Sequence, residues 1–444
     1  MSALASELGE WIAGLRLADV PPGLLLKAKD HLLDTIGAAV SGDGREPVRV
    51  AARVFRAPGT VRLLVDDVPR DLVDAARVNA VAAHAAEIDD TEGCDHTGAV
   101  VVPTLLALLE RDAGRRTGHE LLVSMIAGYE VGRRMQSALG GYDAHNRSGW
   151  HSTATCGVFA AAAAAARALG LSAAQCTSAL AIAASSSAGT WAFAEDGSMT
   201  KQLHVANAAG AGLLAALLAE AGATGPGAIF DDVWGGYFHT HGNEHVRPGA
   251  LVAGLGDRWH AAHSAIKMYA ACRSAHPALD GMVDALRAGV LAAGDVEAVS
   301  IELSPFLRAM ICPESPRTVE AARMSLPISI ALLLLGRPLS PDAYEDFGHA
   351  DVAGLLRRVE VVETDALPDP ASVRVTVRAG SVTHVIERAT ARGSAEQPFS
   401  AAEVQEKFRR LTVPRIGRDR AEAIVGYVGA LGPAPAGPLP AVWG

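Results

Sequence analysis

Cys156-Gly-Val-Phe-Ala-Ala-Ala-Ala-Ala-Ala-Ala-Arg-Ala-Leu169 is the stretch that decides the fold. Alanine has the highest intrinsic helix propensity, and the run stops at Gly170, where a left-handed C-cap is expected. With alanine on nearly every side, such a helix can be buried all round at short interaxial distances, so it belongs inside a helical core. Outward from it, Pro21 to about Ala221 reads as one helix after another. Thr117-Gly-His-Glu120 and Ser172-Ala-Ala-Gln175 have the form of capping boxes, and Gly42 and Gly222 follow periodic apolar runs as Gly170 does. The texture changes after about Ala261. Alternation in Val296-Glu-Ala-Val-Ser-Ile-Glu-Leu303, Ser372-Val-Arg-Val-Thr-Val-Arg378 and Thr383-His-Val-Ile-Glu387 predicts strands, with helices at Pro277 to Ala293 and Ser325 to Leu335 between them. Ser400-Ala-Ala-Glu403 opens a return to helical texture, and the Pro/Gly-rich tail from Gly432 is expected to be loose. The chain is therefore read as mainly α: a large all-helical domain over residues 1–260, a smaller α+β domain over 261–395, and C-terminal helices over 396–444 that rejoin the first.

The bulk composition agrees. At 444 residues the chain exceeds one hydrophobic core, and half of it is apolar with only 5% aromatic, which favours closely packed helices. A net charge of −10 repels nucleic acid and anionic lipid, so any anion bound is expected to be small and pocketed. The cysteines Cys94, Cys156, Cys176, Cys272 and Cys312 form no CxxC pair, which fits a reducing compartment better than a disulfide framework or a zinc knuckle. Met1-Ser-Ala-Leu-Ala-Ser-Glu7 lacks the pattern of a signal peptide, and the apolar runs at Gly157 to Leu169 and Leu326 to Leu335 are alanine-dominated or short. A cytoplasmic chain without a membrane span is expected.

Several stretches offer chemistry. His84-Ala-Ala-Glu-Ile-Asp89-Asp90-Thr91-Glu92-Gly93-Cys94-Asp95-His96 reads as a helix that carries acids, breaks at Gly93 and presents His96. Acids beside an imidazole fix its tautomer and raise its basicity, although a solvated acidic helix end has the same pattern. Asp89-Asp90 with Asp95 also has the look of the aspartate-rich magnesium motif of helical isoprenoid synthases, but the second magnesium motif is missing and aromatic residues are scarce. Gly149-Trp150-His151-Ser152-Thr153 stands where a loop enters the alanine-rich helix, with Ser152 or Thr153 as prospective caps. Lys201 and His204 lie three apart at another helix start, so they share one face near the positive end of the dipole. Lys267-Met-Tyr269-Ala-Ala-Cys272-Arg273-Ser-Ala-His276 gathers proton donors and cations at the expected seam between domains. His239-Thr-His241-Gly-Asn-Glu-His245 invites a metal reading, but its spacing matches neither HExxH nor a finger, so an exposed polar loop is expected. Nucleophile-elbow, Walker and dinucleotide-binding patterns are absent.

Taken together, Asp34-Thr35-Ile36-Gly37, Asp89-Asp90-Thr91, Gly149-Trp-His151-Ser-Thr, Thr200-Lys201-Gln-Leu-His204, Gly225-Pro226, Lys267 to Asp280 and Glu320-Ala-Ala-Arg-Met-Ser325-Leu-Pro327 resemble the MmgE/PrpD family in order and spacing. Its members include 2-methylcitrate dehydratase, cis-aconitate decarboxylase and iminodisuccinate epimerase. The resemblance implies a helical domain built from both ends of the chain, an α+β lid, a homodimer, and an active site without metal or organic cofactor. It implies His96, His151, Lys201 and Lys267 as catalytic residues. Asp90, Thr91, His204, Cys272, Arg273 and His276 are the candidates for holding the substrate. Ile328 stands where the decarboxylase-like members carry a tyrosine, which leaves the exact reaction open. The expected chemistry is lyase or isomerase action on a small anionic, polycarboxylate-like substrate. Lys201 and Lys267 would hold carboxylate or enolate oxygen, and His96 or His151 would move a proton at the carbon α to it. A repurposed cyclase or isomerase acting on a larger, less charged substrate is the alternative, and a non-catalytic binding protein on the same fold is the third reading.

Overall fold

The structure is a computed structural model that describes residues 4–442, apart from 67, 113, 368, 370 and 371. Part of the N-terminal stretch read above, residues 1–3, and the end of the tail, residues 443–444, lie outside the described residues. The chain is mainly α and falls into two compact units, one of Met1–Trp191, Thr200–Ile266 and Ser400–Gly444, the other of Ala192–Met199 and Lys267–Phe399.

At the centre of the first unit lies the helix Gly157–Leu169, in which every residue from Val158 to Ala166 is buried. It packs against the helices Gly98–Arg111, Gly118–Ala138, Ala173–Ala184 and Thr200–Glu220. Small residues set how near these helices come. A Cβ added at Gly212 would lie 2.5 Å from both Ala161 Cβ and Val158 O, so the two backbones meet with no room for a side chain. Gly170 closes the helix with φ 68°, and the three capping boxes form at Thr117, Ser172 and Ser400. Gly42 differs from expectation. It is the last residue of the helix Pro22–Gly42, and a Cβ there would meet Ala82 O at 2.0 Å, so it marks a close helix approach while Gly44 supplies the positive φ. Two helical runs, Ser152–Leu169 and Thr200–Glu220, have the length and apolarity to cross a bilayer, yet 89% and 67% of them is buried inside the protein. The second was not foreseen in the sequence, where Lys201 and His204 drew attention to its polar start.

The tail also departs from expectation. His119 N and Gly118 N donate to Gly432 O and Ala434 O at 2.9 and 3.2 Å, Ala436 N donates to Arg116 O at 2.6 Å, and Leu439 is buried. Proline and glycine lower its regularity without freeing it, because the neighbouring loop satisfies its backbone.

In the second unit, a short earlier strand β1 (Pro58–Val61) having no part in it, β2 (Val296–Leu303), β3 (Val359–Glu363), β4 (Arg374–Ala379) and β5 (Val382–Glu387) form a sheet in the order β3-β2-β4-β5. β2 pairs parallel with β3 and antiparallel with β4, and β4 pairs antiparallel with β5. Val299, Ile301, Leu303, Val375, Val377 and Ile386 fill one buried face. Strand β3 was missed because it is a half-exposed edge in which alternation is weak. The helix expected at Pro277 to Ala293 runs only over His276–Arg287, since Gly289 takes φ 67° and turns the chain.

Candidate active site

The helix Leu72–His84 begins at Asp71, whose carboxylate accepts from Val73 N at 3.1 Å, and it stops at His84. Residues 85–97 then form an irregular loop, which corrects the expectation of an acid-bearing helix as far as Gly93. Acids at a helix C-terminus oppose the dipole, whereas here they accept hydrogen bonds from other parts of the unit. The solvated reading fails as well, because Glu87, Asp89, Asp90, Asp95 and His96 are all buried.

Glu87, Glu92 and Asp95 have φ of 53°, 60° and 80°, and among the described residues they are the non-glycine positions with positive φ. Each such conformation costs of order 1–3 kcal/mol and persists only where its surroundings over-determine it. The surroundings do so. Lys407 Nζ donates to Ile88 O at 2.7 Å, and Arg133 donates to Glu92 O and, at 3.3 Å, to Gly93 O. Thr91 and Ala265 exchange backbone hydrogen bonds of 2.8 and 2.7 Å.

Held in this way, the loop delivers its polar groups to the first turn of the helix Thr200–Glu220 and to the entry of the helix Ser152–Thr155. His96 Nδ1 lies 2.9 Å from Asp89 Oδ2, and His84 Nδ1 lies 3.1 Å from the same oxygen. The carboxylate can only accept, so both rings donate to it from Nδ1. On its other side, His96 Nε2 faces Asp95 Oδ1 at 3.7 Å and Glu87 Oε1 at 3.8 Å. Asp95 Oδ2 is 3.6 Å from His151 Nε2, and His151 Nδ1 is 2.9 Å from His204 Nδ1. Lys201 Nζ forms an ion pair of 2.6 Å with Glu87 Oε2. The His96 and His151 ring centroids are 6.4 Å apart, and the His151 and Trp191 rings meet in a T-shape with centroids 5.2 Å apart.

Burial dominates the protonation states. It pushes His151 down to about 3 and His204 down to about 4, with Lys201 and neighbouring imidazoles adding to the effect, so both rings are neutral at neutral pH. For Asp95 burial works in the raising direction, but His96, His151 and Lys201 overcome it and hold the carboxyl well below the usual range.

Of the sequence candidates, His96, His151, Lys201 and His204 come together. Thr91 joins them indirectly, its hydroxyl donating to Asp95 Oδ1 at 3.2 Å. Asp90 does not join them. Its carboxylate is taken by His31 Nδ1 and Gly98 N, both at 2.8 Å, and by the Tyr129 hydroxyl. Ser152 and Thr153 do not cap the helix as expected. Ser152 Oγ accepts from Asn146 Nδ2, Thr153 Oγ1 accepts from His96 N at 3.3 Å, and the N-cap is His151 itself. Lys267, Cys272, Arg273 and His276 belong to the second unit, where Lys267 is fully buried, Cys272 N donates to Arg323 O, Arg273 donates to Arg392 O, and His276 Nε2 meets Ala271 O. His239 and His245 are exposed as expected, but His239 and His241 lie in the short helix Tyr237–His241 and not in a loop, and His241 Nε2 contacts Ser187 O.

His84, Glu87, Asp89 and Asp95 were passed over as site residues. Their spacing is that of a folded loop with no period to read, and the one signal was the density of acids between two histidines. Two groups, His84–Asp89–His96 and Asp95–His96–His151, have ligand atoms within 4.8 Å of one another, near enough to share a metal ion. In the first group both rings already donate Nδ1–H to the Asp89 carboxylate, so a metal bound through Nδ1 would have to displace those protons.

The MmgE/PrpD N-terminal domain profile matches residues 6–248, and that of the MmgE/PrpD C-terminal domain matches residues 269–430. The chain is 28% identical to the cis-aconitate decarboxylase-like protein oryM of Aspergillus oryzae over 95% of its own length and 93% of the relative's. It is 28% identical to a cis-aconitate decarboxylase of Aspergillus terreus over 92% of its length and 89% of the relative's. With the Homo sapiens cis-aconitate decarboxylase it shares 27% identity over 96% and 92% of the two chains. A buried acid and histidine cluster on a strained loop, set in a chain matched along nearly its whole length, makes this protein an enzyme of the MmgE/PrpD family.

Proposed function

We propose that the enzyme is a lyase or isomerase that works without metal or organic cofactor, moving a proton at the carbon α to a carboxylate of a small polycarboxylate. The observation that carries this reading is the set of three carboxylates around His96: Asp89 at its Nδ1, with Asp95 and Glu87 facing its Nε2. With Nδ1 held by Asp89, the ring keeps Nε2 to exchange a proton with substrate carbon. Lys201 is the ammonium group proposed to hold carboxylate or enolate oxygen. A positioned acid–base group typically contributes about 10²–10⁴-fold, and a fixed cation opposite enolate charge a comparable factor. A lid role for the α+β unit, a homodimer and a cytoplasmic location belong to the same proposal.

The names of the relatives favour decarboxylation of cis-aconitate, and incubation of the purified enzyme with cis-aconitate, citrate and 2-methylcitrate, with and without EDTA, tests it. Turnover of at least one that survives EDTA and is lost in His96→Ala supports the reading, while turnover that EDTA abolishes contradicts the cofactor-free part. A repurposed cyclase or isomerase is the second reading, and one observation favours it. Lys201 is already neutralised by Glu87 at 2.6 Å, which leaves the site a smaller positive excess than a tricarboxylate would use. Lack of turnover on all three acids, with turnover of a neutral carbonyl compound, would select it.

A further inference from the structure

We infer that His204 is a positioning residue that holds His151 in its Nε2–H form, so that His151 serves the reaction as a neutral hydrogen-bond donor to substrate oxygen while His96 moves the proton. This rests on the acid–base reading above, which gives the proton to His96, and assigns separate work to His151.

The argument starts from one proton and two lone pairs. His151 Nδ1 and His204 Nδ1 are 2.9 Å apart, so one ring donates and the other accepts. Were His151 the donor, its Nε2 would carry a bare lone pair toward Asp95 Oδ2, 3.6 Å away, on a carboxylate that its neighbours keep ionised. With His204 as donor, His204 Nδ1–H reaches His151 Nδ1, and His151 Nε2–H sets its positive end toward the Asp95 carboxylate, at 3.6 Å an electrostatic contact longer than a hydrogen bond. Both rings are buried, and Lys201 Nζ stands nearby as a further reason for neither to take a second proton.

His96 is supported in the opposite sense. Behind its Nδ1 is a carboxylate where His151 has an imidazole, and two more carboxylates face its Nε2. Two imidazoles 6.4 Å apart thus stand in different electrostatic surroundings, and neighbouring groups set apart in this way divide acid–base and electrophilic work between them. A neutral imidazole N–H directed at an enolate or carboxylate oxygen stabilises developing charge without a proton having to leave it. When substrate enters, its oxygen takes the place of Asp95 Oδ2 as acceptor, no covalent bond at His151 is made or broken, and the ring returns unchanged.

Two measurements test this. Two-bond ¹H–¹⁵N NMR on the full chain carrying ¹⁵N-histidine, with the His151 signals assigned by their loss in His151→Gln, reads which nitrogen bears the proton without any substrate. A protonated Nε2 and a bare Nδ1 at neutral pH are expected, and a proton on Nδ1 with Nε2 bare overturns the assignment. Kinetics of two variants then separate positioning from simple support. His204→Asn keeps an N–H beside His151 Nδ1 and is expected to retain kcat within about fivefold. His204→Asp, which puts an acceptor there, is expected to lower kcat about 10²–10³-fold with KM nearly unchanged, the usual loss for one oxyanion donor. Equal kcat in the Asn and Asp variants overturns the role. If no substrate turns over at all, the lyase reading fails, while the NMR result still decides the tautomer.

Discussion

The helix Gly157–Leu169 and the loop of residues 85–97 are both buried, and they are built by opposite means. The helix satisfies its own backbone, carries alanine where a neighbour presses, and touches glycines that let other helices come near. The loop contains three positive-φ residues that are not glycine and at least four buried acids, and it is tolerable because partners inside it and from other parts of the unit answer them. Local preference and global structure agree in the first and conflict in the second, and such conflict is where function is expected.

The comparison can be broken most strongly at His96. His96→Ala is expected to lower kcat about 10²–10⁴-fold while the melting temperature changes little, read by steady-state kinetics beside thermal denaturation. Acid is the next lever. His151 and His204 bind protons when unfolded, at an ordinary pKa near 6.5, but resist them when folded. Unfolding stability is therefore expected to fall as pH drops from about 6.5 toward 4, by about 1.4 kcal/mol per pH unit for a fully buried ring such as His151, measured by urea titrations. Asp95 is linked in the same sense, but in a lower pH window. Its depressed folded pKa adds stability above about pH 4 that disappears only at still lower pH, so it does not mask the histidine effect. In the alanine core, Gly212→Val should cost about 3 kcal/mol by overpacking against Ala161 and Val158, again by urea titration, with no selective effect on KM. The smallest effect sharpens the contrast from the loop side. Glu92→Gly relieves a φ of 60°, at a half-buried position, and should change stability by no more than about 1 kcal/mol, in the stabilising direction.

The same contrast explains what the amino-acid sequence made legible. The capping boxes at Thr117, Ser172 and Ser400, the alanine helix and strand β2 follow from short-range rules, and they stand where those rules place them. His96, His151, Lys201 and His204 could be singled out by residue type and motif order. Glu87 and Asp89 could not, because their partners, Lys201 and the two imidazoles, are fixed by a loop whose backbone obeys no period. Asp90 shows the limit of proximity in sequence. One residue from Asp89, it turns to His31 and Tyr129 and holds the helices together. The start of the tail, Gly432 to Leu439, was misread for a related reason, since composition reports how regular a segment is and says little about which neighbour ties it down.

The most direct measurement of His96 as the proton carrier is deuterium incorporation. The enzyme is incubated in D₂O with a polycarboxylate it turns over, and product and recovered substrate are followed by ¹H NMR. Deuterium at the carbon α to a carboxylate, appearing with the wild-type chain and abolished by His96→Ala, is the expected result. Incorporation at an undiminished rate in His96→Ala, or turnover with no deuterium at that carbon, would contradict it.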